Sequence, residues 1–258
     1  MANYTVSVLM SKETVNNLSQ NNFVLYGFKA VRTTLPGAPL VWFQTTAYGE
    51  TTELNWTQRF RAYTSRSKIV PGGLIRATNS YDIDLGQTLE VTDKSGTGSV
   101  VLAGNPGAVS ILNQTSTEFT CGVSEMQPDG GVTPMCAFPL FGNNLDVIAP
   151  VERILLTFST TPVNTGTVIY QAYSPGVLID LTGTDSRTVG YDINAGWSWG
   201  GGAWGRQIAP SQNLVPLLIE TSTDLSQQPR TGLPPATEVA TGSQVATGSL
   251  VAANGRAG

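Results

Sequence analysis

Residues 51–64, TTELNWTQRFRAYT, place Leu54, Trp56, Phe60 and Ala62 on one parity. The polar residues Glu53, Asn55 and Gln58 alternate with them through a single break in phase. A period near two belongs to a strand with one face on a core, and a break in phase is what a bend or bulge produces. Short β-branched and aromatic runs bounded by Gly, Pro and Asn recur at 4–10, 22–31, 39–47, 52–64, 88–93, 99–104, 108–114 and 118–126. They continue at 133–141, 151–160, 166–173, 176–183, 188–197 and 213–220. Apolar spacing of three and four residues never lasts a dozen positions, so no long amphipathic helix is predicted. The pattern predicts an all-β protein of one or two packed antiparallel β-sandwich units, jelly-roll or Ig-like, followed by an extended C-terminal tail.

Gly104-Asn105-Pro106-Gly107 is the strongest internal punctuation. It divides the body into an N-terminal sandwich half, 1–104, and a C-terminal half, 105–220, of about half a dozen strands each. From 221 the chain turns polar and Pro-containing, and 221–258 reads as a low-complexity tail. Within it, VATGS at 239–243 returns at 245–249 and, more weakly, at 251–255. If extended, Val239, Thr241, Val245, Thr247 and Val251 share one face with Ser243 and Ser249, and the other face is mostly Ala and Gly. A solvated linker has no reason to hold Val on one parity. The segment reads as an assembly strand, too poor in large apolar groups to fold alone and suited to adding to an exposed sheet edge of another copy.

Charged residues are 12% of the chain, against roughly 25% in ordinary globular proteins. Thr, Ser, Asn and Gly take their places. A net charge of −4 offers no basic footprint for a phosphate backbone, so nucleic acid is not an expected partner. No run reaches the roughly 18 apolar residues of a membrane-spanning helix. The opening MANYTVSVLMSKETV lacks a basic head followed by an apolar stretch, and the expectation is a cytoplasmic protein or one released without a classical signal peptide.

The chain has no histidine, which removes Ser-His-Asp and Cys-His catalysis and His-ligated zinc. GWSWG at 196–200 matches the nucleophile-elbow pattern around Ser198, but a base and the strand–turn–helix context are missing. Two cysteines alone cannot build a tetrahedral thiolate site. Asp82 with Asp84, or Asp180 with Asp185 and Asp192, could face a hard cation, but none has EF-hand spacing and Asp beside Gly is turn chemistry. The expectation is no enzyme, no metal and no cofactor.

GWSWGGGAWGR, 196–206, puts Trp197 and Trp199 on one face, and Gly200-Gly201-Gly202 lets Trp204 turn back beside them. Exposed, the three with Asp192 and Asn194 at the rim form an aromatic platform for a sugar. Buried, they form a tryptophan plug, the preferred alternative, because soluble proteins seldom expose such a patch. Cys121 and Cys136 lie almost symmetrically about Pro128-Asp129-Gly130-Gly131. A hairpin there sets the sulfurs nearly opposite, as a disulfide or as a pair of buried thiols.

The run FTCGVSEMQPDGGVTPMCAFPLFGNNLDVIAPVERILLTFSTTPVNTGTVI, then VLIDLTGTDSRTVGYDINAGW, with the opening YTVSVLM and NNFVLYGF, resembles a family of uncharacterised all-β proteins found mainly in filamentous fungi and some bacteria. The resemblance spans most of 1–197. It implies a β fold without a signal peptide and brings no assigned activity or catalytic residues; the repeated tail is not part of it. Three functions fit the residues. The first is a structural β protein that self-assembles into a homo-oligomer or filament by strand exchange. The second is a lectin-like carbohydrate-binding module using the tryptophan platform, and the third a membrane-active β toxin.

Overall fold

The short apolar runs become nineteen strands and two short helices among residues 2–222, the part that the computed structural model describes. In chain order these begin with β1 (Asn3–Leu9), α1 (Lys12–Gln20), β2 (Val24–Thr33), β3 (Ala38–Pro39), β4 (Phe43–Thr45), β5 (Thr51–Thr57) and β6 (Phe60–Ser65). They continue with β7 (Asn79–Ile83), β8 (Thr88–Val91), β9 (Gly98–Val101), β10 (Val109–Asn113), β11 (Phe119–Met126), β12 (Val132–Pro134) and β13 (Cys136–Leu140). The last are β14 (Leu145–Ser159), β15 (Gly176–Asp180), β16 (Ser186–Asp192), β17 (Gly196–Ser198), β18 (Gly205–Ile208), α2 (Val215–Leu218) and β19 (Ile219–Thr221). The protein is all-β.

The strands form three sheets. A four-stranded sheet runs β17-β16-β1-β5, a six-stranded sheet runs β3-β13-β11-β6-β7 with β12 beside β11, and a nine-stranded sheet runs β18-β15-β14-β10-β8-β9 with β2, β4 and β19 attached through β2. Most pairings are antiparallel, but β1–β16, β8–β10 and β2–β19 are parallel. The fifteen-residue β14 is the spine of the largest sheet and pairs with β10, β15 and β2. Its register against β2 jumps between Val151 and Ile154, so Glu152 and Arg153 bulge opposite Lys29 and Ala30. Such bulges re-aim side chains. β2 is buried along nearly its whole length, Lys29 and Arg32 included. One core cluster joins all three sheets through Val6, Trp42, Trp56, Ala62, Phe138 and Ile154. A second lies around Phe28, Leu155, Leu178 and Leu217.

Two expectations are corrected, the boundary and the strands at 166–173 and 213–220, and one element is new. The boundary near residue 104 is a crossover: β8 and β9 make a hairpin, the Gly104–Gly107 turn follows, and β10 then pairs parallel with β8. Every sheet takes strands from both 1–104 and 105–220, so the halves do not fold around separate sheets. The segment 166–173 makes only isolated bridges, and 213–220 is one helical turn followed by β19. Finally, α1 stands where no helix is legible at a dozen-residue window. Ser11 caps it by accepting the Thr14 N–H at 3.1 Å, and Thr14 and Leu18, four residues apart, are its buried contacts.

Candidate functional site

The tryptophan segment is built into the body. Trp197, on β17, is buried and stacks on Phe158 at 5.6 Å with 16° between the rings, and Tyr191 packs at 4.8 Å. Its indole N–H donates to the Pro175 carbonyl at 3.3 Å. Gly200 and Gly201 take φ of 72° and 79°, the left-handed backbone that reverses the chain. Trp199 then lies against Gly205, where a Cβ would sit 2.4 Å from its ring, and donates to the Gly202 carbonyl at 2.9 Å. Trp204 is half-buried under the Arg187 guanidinium, 4.8 Å from the ring centroid. Asp192 holds the turn: one oxygen accepts the Asn194 and Ala195 N–H groups at 2.9 Å each, the other the Thr14 hydroxyl at 3.1 Å. These bonds to Ala195 and Asn194 keep its carboxyl below the usual range. Asn194 is exposed at the same turn. With Trp197 inside, the three rings present no common open platform.

The cysteine hairpin forms, with a different register. Cys121 faces Phe138, and Cys136 pairs with Pro39 of β3. Both thiols are buried and free, which corrects the disulfide alternative. Burial raises the pKa of both, Cys136 to about 12. Cys121 donates its S–H to Asp146 at 3.6 Å, and Thr33 donates its hydroxyl to the other Asp146 oxygen at 3.2 Å. Of the acidic residues weighed as cation ligands, Asp82 pairs with Arg61 at 3.0 Å and Asp180 with Arg153 at 3.7 Å. No group of three or more metal-ligating side chains occurs among the described residues.

The four-stranded sheet ends on β5, and its hydrogen bonding can be followed residue by residue. Thr5 donates its N–H to Asp185, on the β16 side, whereas Met10 donates to Glu50 and Gln58 donates to Ala2. Odd residues of β1 therefore face β16 and even ones face β5. On β5, the partners of Val8, Val6 and Tyr4 are Thr52, Leu54 and Trp56, which spend their main-chain groups on β1. Thr51, Glu53, Asn55 and Thr57 turn their N–H and C=O groups outward, and no strand pairs with that side among the described residues. Their side chains lie on the exposed face, where Thr5 donates its hydroxyl to Asn55 at 2.7 Å and Thr57 donates to Asn3 at 2.8 Å. The edge has no Pro, Lys or bulge of the kind that guards natural edges. The assembly strand proposed to pair with such an edge, Val239, Thr241, Val245, Thr247 and Val251, lies outside the described residues.

Two further constellations were not read from the sequence. Lys29, 4% exposed, reaches Glu125, fully buried, at 3.2 Å, and its ammonium lies 4.6 Å from the Trp56 ring centroid, 5.2 Å from Trp42 and 5.9 Å from Tyr4. Burial raises the Glu125 pKa, with Lys29 opposing and Glu152 adding to it. Burial and a hydrogen bond to Glu152 likewise raise that of the Tyr4 phenol. The available signal was a single charge inside each of two apolar runs, NFVLYGFKAV and FTCGVSEM. The second feature is an open groove of about 780 Å³ lined by Arg66, Lys68, Glu118, Phe119 and Tyr170 among others. Its Arg66 guanidinium stands 6.0 Å from the Phe119 ring centroid.

No family model, curated protein or solved structure matches the chain, and the resemblance described above rests on its quoted residues alone. Among the described residues, no helix is long and apolar enough to cross a membrane.

Proposed function

We propose that the protein is a non-enzymatic structural component that assembles with copies of itself, residues 238–253 of one copy adding as a strand to the outer edge of β5 in the next. The observation that carries this reading is the outward row of main-chain groups at Thr51, Glu53, Asn55 and Thr57, derived from the β1–β5 and β1–β16 bonding. Main-chain bonds to such an edge provide most of the affinity in strand addition, and alternate side chains provide the selectivity. The tail alternates Val, Thr and Ser with Ala and Gly, a pattern that fits beside the Thr and Asn side chains of β5 without steric demand. Its origin is fixed: β19 pairs with β2, and Glu220 bonds Arg32 at 3.4 Å and also Arg153. From Ser222 onward the chain is long enough to reach on the order of 100 Å when extended, enough to cross to a neighbour. The test is titration of a peptide of residues 238–253 into the body ended after Ser222, followed by amide shifts. Shifts centred on Thr51–Thr57 support the reading, and shifts elsewhere or none refute it.

A second reading is carbohydrate binding, supported by the groove. At about 780 Å³ it has the size of a ligand site, with Phe119 and Tyr170 as apolar surfaces and Arg66, Lys68 and Glu118 as hydrogen-bonding groups. Binding on a glycan array that is lost in Tyr170→Ala supports this reading; binding unchanged in that variant removes the groove from it.

A further inference from the structure

We propose that Lys29 and Glu125 form an intramolecular amide bond that ties the nine-stranded sheet to the six-stranded sheet. The inference is independent of the assembly reading. Lys29 belongs to β2 and Glu125 to β11, and no main-chain pairing joins these two strands. Lys29 Nζ nonetheless lies 3.2 Å from Glu125 Oε2, which sets the amine beside the carboxyl carbon it would attack, the proximity that turns a bound pair into an intramolecular reactant. Both strands are pinned on two sides, β2 by β14 and β4, β11 by β6 and β13, so the approach is held rather than sampled.

The surroundings favour condensation over a permanent ion pair. An ion pair taken out of water loses its hydration, and repays the loss only when its remaining hydrogen-bonding capacity is met. Here the walls are the rings of Trp42, Trp56 and Tyr4, which offer the amine three π-faces and the carboxylate only the Trp56 indole N–H. Burial favours the uncharged form of Glu125, and the reacting pair is an amine beside a carboxylic acid, the ion pair with one proton moved across the contact. The lone pair of Lys29 Nζ attacks Glu125 Cδ, and the C–N bond forms as the carbon becomes tetrahedral. One amine proton moves to the Glu152 carboxylate. The C–O bond then breaks, and the departing hydroxyl takes a proton back from Glu152 and leaves as water. One amine and one carboxylic acid give one amide and one water, with no oxidant and no second substrate.

Glu152 is assigned the relay because the two-residue bulge in β14 places it opposite Lys29 and Ala30 and its side chain bonds the Tyr4 phenol, whose ring centroid lies 5.9 Å from the Lys29 ammonium. It is half-buried and so marks the side on which water can leave. Once the amide exists, the same aromatic walls keep water from its carbonyl, and hydrolysis is slow.

The experiment is intact-mass spectrometry of the purified, denatured full-length chain, joined to tryptic mapping. The expected result is a wild-type mass lighter than its sequence by one water, no cleavage after Lys29, and a branched fragment joining the segment around Lys29 to that around Glu125. Lys29→Arg and Glu125→Ala are expected to restore the full sequence mass. If either variant fails to fold, the wild-type map decides on its own. Glu152→Gln is expected to yield a mixture of linked and unlinked chains that converts at least tenfold more slowly; linkage as fast as in the wild type overturns the relay. A wild-type chain of full sequence mass, cleaved completely after Lys29 even after prolonged incubation in the folded state, overturns the bond and leaves an ion pair in an aromatic cage.

Discussion

Removing the ionisable group at residue 146 changes how the stability of the body depends on pH, and the structure sets both the sign and the size. Asp146 is fully buried, and burial is the largest influence on its carboxyl, outweighing the bonds from Thr33, Cys121 and the Val147 N–H. The result is a pKa raised from 3.8 to about 6. An acid with a raised folded pKa holds its proton in the folded state over a range where the unfolded chain has released it. Stability from this group is therefore full below about pH 4 and falls as pH rises through about 6. A shift of about two units corresponds to about 3 kcal/mol. Cys121, whose own pKa is raised well above its usual value, stays a neutral thiol throughout. In Asp146→Asn the side chain cannot ionise, so the variant gains on the wild type by about 3 kcal/mol between about pH 4 and about pH 7. Taking the difference between the two proteins cancels the other carboxylates that lie far from the site. In urea, with a slope of about 2 kcal/mol per molar, the midpoint difference between variant and wild type moves by about 1.5 M across that range. A difference that stays constant, or moves the other way, refutes the assignment of the buried carboxyl.

Other perturbations separate the roles assigned above. Trp197→Ala is expected to lose about 3–5 kcal/mol, as for a large buried ring, and Trp204→Ala far less; equal losses by thermal unfolding would contradict the placement of Trp197 inside and Trp204 at the surface. Both thiols are expected to resist an aromatic disulfide reagent in the native protein and to react together on unfolding; rapid native labelling of either would contradict their burial. Far-ultraviolet circular dichroism is expected to show a β spectrum with helix well below a quarter of the body, against about a third in an average domain. Glu220→Gln weakens the contacts of β19 with Arg32 and Arg153 and is expected to raise amide exchange at Ile219–Thr221 before β2 is affected; unchanged exchange there would remove Glu220 as the anchor.

Strand content was legible because the alternation survives in segments such as 51–57, where each buried residue is an even one. Three features were not. The long β14 is interrupted in sequence by Pro150, which normally marks an edge, and Pro150 nonetheless sits in register with Val31, so the strand begins six residues earlier than its apolar run. The cysteine pairing depends on register. β12 pairs with β11 in one register and β13 in the next, one residue on, so the residue opposite Cys121 is Phe138, two beyond Cys136, where a hairpin symmetric about the turn would have put Cys136 itself. The tryptophans show the limit of parity, which states which residues share a face but not whether that face meets another sheet. Phe158, which fills the space over Trp197, comes from a strand 39 residues away. For the site, the open edge of β5 became visible only once the partners on both sides of β1 were known. The Lys29–Glu125 contact joins two runs that each read separately as apolar strands.

The most direct test of assembly is the solution mass, by multi-angle light scattering over a range of concentrations, of three chains. These are the full protein, the chain ended after Ser222 so that β19 is kept whole, and full-length Glu53→Pro. Glu53 directs its N–H away from β1, so proline there removes a donor from the open edge while leaving the β1–β5 bonds in place. The account predicts a large assembly for the full chain and monomers for the other two, with unchanged circular dichroism in all three. An assembly of the same size in the truncated chain or in Glu53→Pro contradicts it, as does a full-length protein that is monomeric at every concentration.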